Sequence, residues 1–225
     1  DTFICRGLGR SYGDSSLNGK IIDLTNIKKK FQILKKKKEV VCSSNLSIKE
    51  LLPILLKVNF FLKVTPGTQY VTIGGAIASD IHGKNHHNDG SFCDYLNEIE
   101  ILLADGKIIK CSKTKNKKLF LSTCGGMGLT GIILSAKVQL LKIPSSFIKE
   151  TIIKSNSLKE TINYFKKYNH KKYIVSWIDS SEKKNNLGRG IIYIGEHTRL
   201  NKEYFLKHRS LNLSFNFPNF FINNF

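Results

Sequence analysis

The stretch Val64–His87, VTPGTQYVTIGGAIASDIHGKNHH, decides the reading of this chain. It brings a Pro66-Gly67 turn, the Gly74-Gly75 pair, a short apolar run and His82, Lys84, His86 and His87 close together. Gly74 and Gly75 lack a Cβ, so the backbone there can take positive φ and let a ligand approach its N–H groups. Ala76, Ile77 and Ala78 read as the first turn of a short helix, whose free N–H groups and positive end suit a phosphate. Three imidazoles and a lysine directly after it suit something anionic or reactive. The plain alternative is a tight turn followed by a solvated loop, and this segment alone leaves the two open.

A second glycine cluster lies upstream. Arg6-Gly7-Leu8-Gly9-Arg10-Ser11-Tyr12-Gly13-Asp14 follows an apolar start, Phe3-Ile4-Cys5, that reads as a strand. Backbone donors and two arginines suit a pyrophosphate cradle. The spacing is G-x-G-x-x-x-G, and the strand-like KIIDL (Lys20 to Leu24) follows where a dinucleotide fold would place a helix, which argues against a Rossmann unit. Gly126-Met127-Gly128-Leu129-Thr130-Gly131 matches G-x-G-x-x-G by letter. A helix-like stretch precedes it and β-rich IILSAKVQL follows, so it reads as a third close-approach loop and not as an NAD site.

RGLGRSYGD (Arg6 to Asp14), the Pro66–His87 segment, GSFCDYL (Gly90 to Leu96), LLADGKI (Leu102 to Ile108) and GGMGLTGII (Gly125 to Ile133) occur in one order at fitting intervals. Together they resemble the vanillyl-alcohol-oxidase, or PCMH-type, FAD-binding oxidoreductases. Within these they are most similar to the decaprenylphosphoryl-β-D-ribose 2-oxidase family, the flavoprotein half of a ribose-to-arabinose epimerase. DIHGKNHH is the most specific string; the glycine loops alone are generic. The resemblance is dense to about Ile143 and continues weakly through Ser176–Gly190. It implies an α+β fold: a two-subdomain FAD-binding domain over 1–143, followed by the start of an α+β substrate domain over 144–225. It also implies that the chain is a fragment, because the family's chains begin with a further strand-helix unit and return at the C-terminus to complete the flavin domain.

For site residues, the resemblance implies FAD contacts from Cys5, Arg6, Gly7, Leu8, Gly9, Arg10, Ser11, Tyr12, Gly13, Asp14 and Ser15. It extends them to Gly67, Thr72, Ile73, Gly74, Gly75, Ser79, Asp80, Ile81, His82 and Ile133. Lys84, Tyr12 and His82 are the expected catalytic groups, with Lys84 and Trp177 on the substrate side. Relatives with covalent flavin commonly carry a histidine in the first loop; here Tyr12 stands in a loop without one, so noncovalent FAD is expected. Met127 replaces the asparagine of the family's GGNG. Asp14, Asp80 and Asp89 read as turn or cap residues and not as acids or bases.

The activity implied is oxidation of the 2-hydroxyl of a polyprenylphosphoryl-ribose to a ketone, which a partner NAD(P)H-dependent keto-reductase would return as the arabinose form. An aldonolactone oxidase of the D-arabinono-1,4-lactone type, or an alditol oxidase, is the alternative on the same fold. A basic nucleic-acid-binding protein is the alternative from another class, since net charge is +19. The lysine runs Lys28–Lys30, Lys35–Lys38 and Lys113–Lys118 fall at turns without interleaved aromatics, which reads as solvated surface with no nucleic-acid partner; attraction to a phosphorylated lipid or peripheral contact with an anionic membrane competes with that.

Five cysteines, Cys5, Cys42, Cys93, Cys111 and Cys124, are widely spaced with no C-x-x-C. They suggest neither zinc nor a disulfide framework and favour a reducing, cytoplasmic setting. His82-x-x-x-His86 is a weak metal pattern, because Gly83 and Asn85 oppose a helix through it and no glutamate stands between, so no metal is expected. No apolar run has the ~18–20 residues of a membrane span.

Capping boxes at Ser47–Glu50 and Ser157–Glu160 open two helices, the first with Leu51, Leu52, Leu55 and Leu56 inward and the second with Leu158, Ile162 and Phe165 on one face. Leu96–Ala104, Asp105-Gly106 and Lys107–Cys111 read as a hairpin, and Tyr173–Ile178 as a strand with one face toward substrate. The phenylalanine-rich Ser214–Phe225 is expected to be a loop over the active site.

Overall fold

A computed structural model describes residues 3–13, 15–181 and 187–199; the expectations for Asp14 and for Ser214–Phe225 lie outside them. The fold is α+β. Strand β1 (Ile4–Arg6) pairs in parallel with β2 (Ile21–Asp23) as a small separate ribbon. Strands β3 (Phe31–Leu34), β4 (Glu39–Ser43), β5 (Phe60–Leu62), β6 (Leu96–Leu102), β7 (Ile108–Cys111) and β8 (Ile132–Lys142) form a six-stranded sheet. Its order is β3-β4-β8-β6-β7, with β5 also paired to β8. All of its pairings are antiparallel.

The predicted hairpin, and a second one that was not predicted, follow from local chemistry. Asp105-Gly106 turns β6 into β7, and Gly106 has φ of 84°. Lys35–Lys38 is the turn between β3 and β4, so this lysine run is a hairpin tip with its ammonium groups in solvent. In β6, Leu96 and Ile99 are both buried although an odd spacing should put them on opposite faces. A register shift against β8 between Leu96 and Glu98 resolves this, because a bulge turns the strand over once.

Helices α1 (Ile48–Leu56), α2 (Ile73–Ala78) and α4 (Lys117–Thr123) pack on this sheet; α3 (His86–Asp89) is a single turn. The capping box of α1 is complete: Ser47 Oγ accepts from the Glu50 N–H, and Glu50 Oε2 accepts from the Ser47 N–H at 2.9 Å. Ile48, Leu51 and Leu55 are buried, while Leu52 and Leu56 are half-buried at the edge of that face. The core joins these to Ile73, Ile77, Phe92, Leu96, Ile99, Ile101, Phe120 and Leu140. Each such side chain contributes roughly 1.5–3 kcal/mol by leaving water.

Strands β9 (Ile148–Ser155), β10 (Tyr173–Ile178) and β11 (Gly190–His197) form a second antiparallel sheet of order β10-β11-β9. Helix α5 (Leu158–Tyr168) covers it through Tyr164, Phe165 and Tyr168 against Ile174, Ile192 and Ile194. Leu158, Ile162 and Phe165 line one groove, as their shared face predicts, but Leu158 and Ile162 are exposed and only Phe165 of the trio packs on this cluster. The rotation of the helix is set by Thr161, whose hydroxyl meets Ser155 Oγ at 2.6 Å and donates to the Gly188 carbonyl at 3.3 Å. Buried hydroxyls must find partners, and this pair turns the Thr161 side inward.

Candidate flavin cleft

The predicted strand-like start (β1), the turn after Val64 and the third glycine loop converge on one cleft of about 800 Å³. Its lining includes the continuous run from Cys5 to Tyr12, and Ser15 and Ser16, all C-terminal to or at the end of β1. Facing them are Pro66, Gly67, Thr68, Thr72, Gly74, Gly75 and Ser79. Met127, Gly128, Gly131 and Ile133 close a third side. The size is in the range of a cofactor site. Arg6 and Arg10 line it, and no aspartate or glutamate among the described residues does. That donor set fits an anionic ligand such as the diphosphate of FAD.

The Gly74-Gly75 segment plays a different part from that expected. Gly74 and Gly75 lie inside α2, not in a positive-φ loop before it. Thr72 is the N-cap, and its Oγ1 accepts from the Gly75 N–H at 3.1 Å. The Ile73 N–H donates to Leu46 O at 2.9 Å and the Gly74 N–H to Ser44 O at 2.7 Å. The first-turn donors of α2 are therefore already used. Gly74 is needed for close approach: a Cβ there would stand 3.0 Å from Ser44 Cβ and 3.3 Å from its carbonyl. The first loop is the reverse case. Among the described residues, the N–H groups of Leu8 to Gly13 donate to no protein acceptor. Gly9 has φ of 60° and sits under the Arg6 guanidinium. The donors still open to an anion are thus in this loop and its arginines, not in α2.

Within the implied set, several side chains are directed elsewhere. Ile73 is fully buried in the core. Asp80 has φ of 39°, and its carboxylate accepts from Ser91 Oγ and the Cys93 N–H, each at 2.9 Å, which agrees with the reading of Asp80 as a turn residue. Gly13 is in the first loop but outside the cleft wall, whereas Ile81 and His82 line it. Tyr12 lines it too and is fully exposed at its mouth. Lys84 and Trp177 are exposed but are not among the lining residues.

His82 and His86 do not share a helix; α3 begins at His86, and the two rings lie 5.3 Å apart. His86 Nδ1 meets Gly90 O and His87 Nε2 meets Lys171 O, each at 3.1 Å. Both rings therefore serve backbone carbonyls. Among the described residues, no group of three or more His, Cys, Asp or Glu is placed to hold a metal ion. Asn85, almost fully buried, donates to Lys63 O at 2.8 Å and to Asp89 Oδ2 at 2.6 Å, which fixes the loop that carries Lys84. Burial raises the Cys5 thiol above its ordinary pKa, so at neutral pH it meets the cleft as a neutral thiol.

Sequence reasoning missed Ser44 and Asn45 as cleft residues. Asn45 Nδ2 donates to Leu24 O at 2.9 Å and Ile27 O at 2.7 Å, clamping the segment after β2 against the main sheet. The available signal was a polar Ser-Ser-Asn run between an apolar strand and a capped helix, where a solvated loop is the ordinary reading. Leu24, Val71 and Ala78, also in the lining, carried no signal.

Residues 1–112 match the family described as FAD binding domain. The chain is 36% identical over 204 residues to decaprenylphosphoryl-β-D-ribose oxidase of Mycolicibacterium smegmatis, covering 88% of this chain and 44% of the relative. It is 28% identical over 181 residues to L-gulonolactone oxidase of Mus musculus, covering 78% of this chain and 40% of that protein. It is 27% identical over 150 residues to cytokinin dehydrogenase 3 of Oryza sativa subsp. japonica, covering 64% and 28%. The chain spans less than half the length of each.

Proposed function

For a chain that belongs to the PCMH-type FAD-binding oxidoreductases, we propose FAD-dependent oxidation of the 2-hydroxyl of a polyprenylphosphoryl-ribose to the 2-keto sugar. A partner NAD(P)H-dependent keto-reductase would then complete conversion to the arabinose form. The observation that carries the reading is the cleft itself: arginines and unspent loop donors at one wall, and DIHGKNHH reaching it through Ile81 and His82 at another.

When bound, FAD supplies the acceptor for the hydride that leaves the sugar carbon. The chain's residues do the rest. Arg6, Arg10 and the Leu8–Tyr12 N–H groups would hold the diphosphate, without a covalent bond from the first loop, which contains no histidine. Leu24, Val71, Ala78 and Ile133 give the cleft an apolar lining that excludes water. His82, Lys84 and Tyr12 are the groups proposed to meet the reacting sugar, Lys84 by its charge toward phosphate or hydroxyl. Asn85 holds the Lys84 loop in place.

Similarity to L-gulonolactone oxidase supports a second reading, oxidation of an aldonolactone on the same fold. Turnover of the full-length protein with a dye acceptor separates them. Polyprenylphosphoryl-ribose as the better substrate is the expected result; turnover confined to free lactones would contradict it. No helix among the described residues is long and apolar enough to cross a membrane.

A further inference from the structure

From Gly106 to Lys149 the chain carries no acidic residue. Within this span Lys113, Lys115, Lys117 and Lys118 are all exposed. Lys113 donates to Asp94 O at 2.6 Å; the other three ammonium groups form no ion pair among the described residues. Lys117 and Lys118 open α4, whose first turn has no acid to balance them. Like charges placed there repel each other and the helix's positive end.

Apolar side chains stand beside this charge. Leu121 is 55% exposed and Leu129 81%, although Phe120 between the same lysines and Leu121 is fully buried. Phe120 and Thr123 anchor the inner side of α4. The Thr123 and Thr130 hydroxyls meet at 2.9 Å, and the Gly126 N–H donates to Thr123 O, so the end of α4 and the glycine loop are tied together. Leu121 and Leu129 flank that tie, two residues and one residue from its hydroxyls, and both project into solvent. Met127, 46% exposed, belongs to this tip and to the cleft lining at once.

We infer that Lys115, Lys117 and Lys118 with Leu121 and Leu129 form a docking surface for an anionic lipid bilayer. Lysines near an anionic leaflet are attracted individually and additively, and aliphatic tips gain by entering the headgroup layer. The chemistry favours lipid over nucleic acid: the exposed apolar residues are leucines, and bases would call for aromatic platforms. Through Met127 the surface is continuous with the cleft mouth, so docking would present the cleft to lipid-borne molecules. In purpose this rests on the lipid-linked substrate proposed above, but its test does not use that substrate.

The full-length protein is floated with phosphatidylcholine vesicles containing about one-third phosphatidylglycerol, and with phosphatidylcholine alone. Wild type is expected on the anionic vesicles only. Lys115→Ser/Lys117→Ser/Lys118→Ser and, separately, Leu121→Ser/Leu129→Ser should each weaken that binding by at least about tenfold. Flavin absorbance and turnover of a soluble substrate analogue should be unchanged, since none of these five residues lines the cleft. The inference is overturned if wild type ignores anionic vesicles, if either variant binds them as wild type does, or if the surface captures single-stranded RNA and no vesicle. Failure of turnover with full vesicle binding would count against the substrate reading alone.

Discussion

The Ile174 N–H donates to the Lys84 carbonyl at 2.9 Å, joining the DIHGKNHH segment directly to strand β10 of the second sheet. Three further contacts surround it: His87 to Lys171 O, Asn88 Nδ2 to Asn169 O, and the Asp89–Lys172 ion pair at 2.5 Å. The residue expected to meet substrate is thus held by the sheet expected to bind it. Of these contacts the ion pair is the most sheltered, with side chains 18% and 29% exposed for Asp89 and Lys172. Lys172→Ala is expected to retain FAD, to lose about 1 kcal/mol of stability and to lower turnover, because Asp89 also orients Asn85 behind Lys84. Flavin content, urea midpoint and kcat measured together check this; unchanged kcat would remove the latch from function.

Lys84→Ala should bind FAD as wild type does, since that task is proposed for the first loop and its arginines and Lys84 does not line the cleft. Turnover should fall at least about tenfold, or ~1.4 kcal/mol of transition-state stabilisation. Lys63 is not a neutral control, because its ammonium lies 4.6 Å from the Tyr95 ring centroid. The exposed Lys159 serves instead. Wild-type kcat in FAD-loaded Lys84→Ala would remove Lys84 from the reaction.

Gly67 lines the cleft, has no positive φ, and a Cβ there would meet nothing within 4 Å. A larger residue is therefore tolerated by the fold but occupies ligand space. Gly67→Leu should leave the circular dichroism spectrum and urea midpoint intact while weakening FAD by at least about tenfold. Equal FAD affinity would move the cofactor out of this part of the cleft.

Burial alone would raise the Glu50 carboxyl, but Lys29 at 2.7 Å, the Ser47 hydroxyl and the Ser47 N–H hold it down to about 2. A folded pKa below the unfolded value of ~4.3 adds stability that is present above that value and lost as pH falls through it toward about 2. The groups are partly exposed, so the gain is about 1 kcal/mol. Glu50→Gln should cost that much at neutral pH and progressively less as pH falls through about 4 to about 3 in urea titrations. A cost independent of pH would assign the effect to the cap geometry alone.

The sequence made β1, β2, β6, β7, β8 and β10, one hairpin and both capped helices readable because each has a local cause: Ser47 and Ser157 cap, Asp105-Gly106 turns, and apolar runs mark the strands; β3, β4, β5, β9 and β11 were not read. The cleft's glycine loops were readable for the same reason. What was not readable depends on contacts between distant segments. Whether the α2 N–H groups are free depends on Ser44 and Leu46, which nothing in the IGGAIA stretch announces. The outward turn of Leu158 and Ile162 depends on Thr161 meeting Ser155 and Gly188. Asp80 resembles a cofactor contact in its motif, yet its carboxylate is held by Ser91 and Cys93.

The central claim is tested most directly by the visible spectrum of the purified full-length protein under anaerobic conditions. Oxidised-flavin absorbance should be present, should bleach on addition of polyprenylphosphoryl-ribose and not of an aldonolactone, and should pass into the supernatant on acid precipitation. Absence of flavin, bleaching by the lactone alone, or yellow cofactor retained in the denatured pellet would contradict, in turn, the cleft, the substrate and the noncovalent attachment.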